Sequence, residues 1–114
     1  MKECIFCKII KKEIPSSIIY EDGEILAFND INPQAPVHVI IIPKRHIERV
    51  SELKAEDSEL ASKLILAGNE IAGKKGLIDP GYRLVINCNK DAGQEVFHLH
   101  MHMFGGRKMG WPPG

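Results

Sequence analysis

Apolar and polar positions change period several times along this chain, and each change marks an element. "CIFCKIIKKEI" reads as a short N-terminal helix or turn that Pro15 closes. "SIIYED" and "EILAFND" read as two strands around the Asp22–Gly23 pair, a hairpin signal. "DINPQAP" holds two prolines and reads as a loop. "VHVIIIP" is β-branched and nearly continuous, as a central strand is. From Ala55 to about Gly73 the spacing becomes helical. "LIDPG" is a turn, "YRLVINCN" a strand, "KDAGQ" a turn, and "EVFHLHMHMFG" a long last strand. The ending "GRKMGWPPG" has no regular pattern. One main helix and a short N-terminal one against about five mostly antiparallel strands predict an α+β fold, with residues 1–114 as a single domain.

The main helix carries more apolar surface than one sheet needs. At 100° per residue from Leu60, the positions Leu60, Leu64, Ala67 and Ile71 cluster near zero, and Ala61, Ile65 and Ala72 fall near 100–140°. That arc of roughly 160° exceeds the ~100° stripe that packs on a sheet face. A twofold-related copy of the same helix is the simplest partner for the surplus, so a homodimer is expected.

Composition narrows the function classes. Lysine plus arginine equals aspartate plus glutamate at 15 each, which argues against a broad basic surface for nucleic acid but leaves room for a small anion held locally. No apolar run reaches the roughly 20 residues of a membrane helix, and the charged start "MKECIFCKIIKKEIP" does not resemble a signal peptide. Three cysteines in such a chain predict a reducing, cytoplasmic setting.

The candidate chemistry lies in "FHLHMHMF". In a strand His98, His100 and His102 point to one face, roughly 6.6 Å apart, with Phe97, Leu99, Met101 and Met103 on the other, toward the helix. Each buried imidazole needs a partner. The residues alone leave three readings: polar side chains facing outward, a three-histidine zinc site, or an imidazole nucleophile acting on phosphorus.

The surrounding motifs decide. "GQEVFHLHMHMFGG" resembles the signature of the histidine triad (HIT) superfamily, in which three histidines alternate with apolar residues. "FNDINPQAPVHVIIIPKRH" is similar to a second block of that family, and "GGRKMGWPPG" resembles the ending of its Hint branch, the nucleoside phosphoramidate hydrolases. The resemblance runs from Cys4 to Gly114 and implies hydrolysis of purine nucleoside phosphoramidates by a homodimer, with AMP released. It makes His100 the nucleophile, with its other ring nitrogen donating to a backbone carbonyl so that the attacking nitrogen stays neutral. His102 would contact the phosphate and His38 would supply a further donor. Asp30, followed by Ile31, would hold the ribose hydroxyls, although Asp30 also fits a turn cap before "INP". Phe28 with Ile25 or Ile18 would line the base slot. Asn87, Gly93, Gln94 and Glu95 would surround the phosphate; Glu95 stands where other members carry serine, which points to a different leaving-group preference. Trp111 would flank the leaving group in the partner's site. A dinucleoside polyphosphate hydrolase and a nucleotide-binding adaptor are the rival functions.

Cys4 and Cys7 form a C-x-x-C without the βαβ context of a redox pair. They could equally be two small packed residues. Family members with this pair imply a closed, structural zinc site completed by His46 and His98. Cys88 has no partner in sequence and reads as an ordinary buried residue.

Overall fold

The computed structural model of the chain describes residues 3–114. Its elements in order are α1 (Ile5–Ile10), β1 (Ile18–Glu21), β2 (Ile25–Asn29), β3 (Val37–Pro43), α2 (Ser58–Lys74), β4 (Tyr82–Val85) and β5 (Met101–Gly105). The strands form one sheet in the order β1-β2-β3-β5-β4, with every neighbouring pair antiparallel. The β1–β2 hairpin turns where Asp22–Gly23 predicts it: Asp22 Oδ1 accepts from the amides of Glu24 and Ile25, each at 2.8 Å.

Alternation along the strands divides the sheet into two faces. Ile25, Ala27, Val39, Ile41, Met101 and Met103 bury against Leu60, Leu64, Ala67 and Ile71 of α2. Gly68 lets the helix come close; a Cβ there would lie 3.3 Å from the Met101 terminal methyl. On the other face Leu26, Phe28, Ile40 and Ile42 pack against Phe6 and Ile9 of α1. A six-residue helix covers only the β2–β3 part of that face. His38, His102 and Phe104 lie beyond it.

Several boundaries differ from the sequence expectation. The last strand starts at Met101, not at Glu95, because its partner runs out. Val37↔Gly105 through Ile41↔Met101 are paired; two steps further Leu99 would meet Pro43, which has no N–H. The Leu99 amide turns instead to the Ile47 carbonyl, 2.6 Å away. β4 ends at Val85 and not at Asn89; β5 runs only one residue past His102, the partner of Val85. Phe97 is consequently not packed on the helix. It is 42% exposed, with the Arg49 guanidinium over its ring at 5.4 Å. Cys88 is half-buried instead of buried. The main helix opens with a 3₁₀ turn at Ala55–Asp57 and becomes α-helical at Ser58. Of the surplus positions, Ala72 joins the core, Ala61 is half-buried and Ile65 is 48% exposed, while Leu66, outside that arc, is 60% exposed. No helix of the described residues is long and apolar enough to cross a membrane.

Candidate active site

The three histidines of the triad occupy one side of the sheet, and each has a defined tautomer. The Phe6 ring touches both His98 and His100, at centroid distances of 5.9 and 5.2 Å, and His100 lies 5.0 Å from His102. The His98 carbonyl accepts from His100 Nδ1 at 2.8 Å. A carbonyl cannot donate, so Nδ1 carries the proton and Nε2 keeps its lone pair. The partner is the backbone carbonyl of the same segment, as expected for a neutral attacking nitrogen.

A second chain of contacts leads to His102. The Gln34 amide donates to His38 Nδ1 at 3.1 Å, which leaves the proton of neutral His38 on Nε2. That proton faces His102 Nδ1 at 2.9 Å and Asp30 Oδ2 at 3.4 Å. With His102 Nδ1 accepting, its own proton sits on Nε2. Asp30 therefore serves two ends at once: Oδ1 caps the turn by accepting from the Asn32 amide at 2.8 Å, and Oδ2 faces the histidines. Burial is the main cause that lowers the pKa values of His38, His100 and His102, with His102 brought down to about 4. All three are neutral at pH 7, the state in which imidazole can act as nucleophile or relay.

The other expected residues lie on β1 and β2, on the loops after β2 and β4, and on the tail after β5. Phe28 is buried and meets Phe6 edge-on at 5.5 Å. Ile18 pairs with Phe28 across β1–β2, whereas Ile25 is fully buried on the α2 face and cannot line the same slot. Ile31 is 98% exposed on the loop after Asp30. Asn87 is half-buried just past β4. Gly93 has φ +82°, and its amide closes a 3₁₀ turn on the Lys90 carbonyl at 3.0 Å. The Gln94 amide donates to the Asn89 carbonyl, and its buried side chain bonds Asn89, Glu48 and Val96. Gly93 and Gln94 thus shape the loop from within. Glu95 is exposed and makes no ion pair among the described residues. Trp111 is 84% exposed on the tail, which Arg83 holds by donating to the Gly110 carbonyl at 2.9 Å. Phe6 was not among the sequence candidates. The signal was its place between the two cysteines, with Ile9 one turn on.

Cys4, Cys7, His46 and His98 converge with one donor atom each, all within 4.8 Å of one another, and could hold a metal. His98 Nε2 donates to the Pro43 carbonyl at 2.8 Å, so its Nδ1 is unprotonated and faces the cluster. Around it lie Cys4 Sγ at 3.3 Å, Cys7 Sγ at 3.6 Å and His46 Nδ1 at 3.1 Å; Cys7 Sγ is 3.4 Å from His46 Nδ1. Four such donors around one tetrahedral zinc stand about 3.3–3.8 Å apart. The donor set fits a closed, tetrahedral site.

The comparisons with known proteins agree with this geometry. The HIT domain family model matches residues 11–109. A purine nucleoside phosphoramidase of Escherichia coli (strain K12) is 47% identical over 109 residues, which cover 96% of this chain and 92% of that protein. An uncharacterised HIT-like protein of Synechocystis sp. is 50% identical over 113 residues, covering 99% of this chain and 98% of its own. The crystal structure of a HIT family hydrolase from Legionella pneumophila superposes with a TM-score of 0.97 at 50% identity, covering 98% of this chain and 100% of that one.

The lowered histidine pKa values predict a stability profile. Between the ordinary imidazole range and about pH 4 the unfolded chain binds protons that native His102 refuses, so stability falls as pH drops through that window and is fully present above it. Melting temperature measured from pH 7.5 down to 4.5 should decline, and His102→Asn should make the decline shallower. Equal slopes in the two proteins would refute the assignment.

Proposed function

The chain belongs to the HIT domain family and is an enzyme of the histidine triad class, and from that premise we propose that it hydrolyses purine nucleoside 5′-phosphoramidates, of the AMP-NH₂ or AMP-lysine type, through a nucleotidyl–His100 intermediate. The observation that carries the reading is the 2.8 Å bond from His100 Nδ1 to the His98 carbonyl. His100 Nε2 attacks the α-phosphorus and forms a P–N bond while the P–N bond to the leaving amine breaks. His102, its Nε2 proton held in place by the His38 contact behind it, donates a hydrogen bond to a phosphoryl oxygen, while the departing amine takes its proton from solvent and the water of the second step gives one back. Water then attacks phosphorus, the bond to His100 breaks, and AMP leaves. Asp30 holds the ribose hydroxyls; Phe28, Ile18 and Ile31 take the purine. Asn87 and the Gly93–Gln94 loop frame the phosphate. The amides of Glu95 and Val96 meet no protein acceptor among the described residues, so they are free to donate to the phosphate. Glu95 tunes the leaving group.

Zinc would be held by Cys4, Cys7, His46 and His98, where it supplies a structural cross-link and no reaction step. The exposed Ile65 and Leu66 of α2, with Ile86 beside the open edge of β4, support a twofold dimer in which helices pack and edge strands pair. Trp111 of one chain then flanks the leaving group bound by the other. Residues 1–114 act as one domain in this reading. The enzyme resides in the cytoplasm, where its three free cysteines stay reduced, and needs neither nucleic acid nor membrane.

Three experiments test it. His100→Ala should lower turnover of adenosine phosphoramidate by at least about a thousandfold while AMP still binds. Near-normal turnover would refute the nucleophile, and faster wild-type cleavage of a dinucleoside polyphosphate would favour the sister activity. Elemental analysis should find one zinc per chain. Cys4→Ser/Cys7→Ser should lose it and melt lower; metal-free wild-type protein would refute the site. Sedimentation at micromolar concentration should show a dimer that persists when Gly110–Gly114 are deleted, with kcat/KM changed according to leaving group. A monomer would refute the interface.

A further inference from the structure

The metal cluster and the nucleophile are neighbours through two separate connections. One is His98 itself. Its ring Nδ1 faces the two sulfurs and His46, while its backbone carbonyl fixes the tautomer of His100. The other is α1. Cys4 stands at its N-cap and Cys7 within its first turn, where the Cys7 amide donates to Cys4 Sγ at 3.3 Å. Phe6 lies between them in sequence and is 6% exposed. Its ring meets His98, His100 and Phe28 edge-on. A helix of six residues does not hold itself together in water. Its position over the sheet rests on Phe6 and Ile9 from below and on the two cysteines at its start.

We propose that α1 couples the metal cluster to the nucleotide site, with Phe6 as the positioning residue, so that bound metal and bound nucleotide each tighten the other. This rests on the reading that the site takes a nucleoside monophosphate. A metal that gathers Cys4, Cys7, His46 and His98 pins the start of α1. Phe6 is then held against the imidazole that meets phosphorus and against Phe28, whose ring lines the base slot. A purine on Phe28 adds to the packing that Phe28 makes with Phe6 and keeps Cys4 and Cys7 at coordinating distance. Linkage requires the two effects to be equal in size.

The test uses the full-length, zinc-loaded protein. Zinc affinity is measured by equilibrium competition with a chromogenic chelator, with and without saturating AMP. AMP affinity is measured by calorimetry on zinc-loaded and metal-stripped protein. AMP should tighten zinc by fivefold or more, and zinc should tighten AMP by the same factor. Phe6→Leu keeps an apolar side chain but removes the ring; it should still bind both and lose the mutual effect. Unchanged zinc affinity while AMP is bound would overturn the coupling, and full coupling in Phe6→Leu would overturn the role of Phe6. If the variant fails to fold, the wild-type zinc affinities with and without AMP still decide whether the coupling exists. Failure of AMP to bind zinc-loaded protein at all would overturn the nucleotide reading itself, which is a different result from binding without coupling.

Discussion

Pro43 decides where the sheet stops, and the site depends on that stop. It ends β3 without an N–H to offer, so the chain from Glu95 to His100 cannot continue the ladder of β5. Two backbone carbonyls near the break are then free to take imidazole protons: Pro43 accepts from His98 and His98 from His100. Each bond fixes a tautomer. The first turns a lone pair toward the cysteines, and the second leaves one on Nε2 of His100. A regular strand through residues 95–100 would use these carbonyls for pairing and leave the two rings undirected.

Much of this was legible in the sequence. The alternation of β2 and β3 and the 3.6-residue period of α2 are strong because each element has one face on a large core, and burial enforces the period. The convergence of the histidines and of the cysteines with them was also legible, since motifs carry them. What the sequence did not reveal were the ends of β4 and β5, and the turn of Phe97 away from the helix. Those depend on register against Pro43, a partner more than fifty residues away, and no local pattern encodes it. Ile25 and Phe28 show the same limit at smaller scale. Both are apolar on one strand, but only their parity relative to α2 says which faces the site.

Phe6 was hidden for another reason. A six-residue helix has too few turns to display a hydrophobic face convincingly, and its neighbours in sequence attract attention as cysteines. Its importance comes from what lies across the sheet. The HIT domain match begins at residue 11, after α1, so the family pattern does not reach this helix either.

The two faces of the sheet divide the work. The α2 face is dry and closely packed, with Gly68 allowing contact at the triad strand, so β3 and β5 have little freedom to move. The opposite face is covered by α1 over β2 and β3 only, and the half-buried His102 and Phe104 border the open part. Rigid backbone beneath and an open face beside the histidines suit the proposed nucleophile, and burial keeps the imidazoles neutral. The cost falls on α1, which must stay docked with little helix of its own, and the sulfur and imidazole donors at its start are placed where a metal would hold it down.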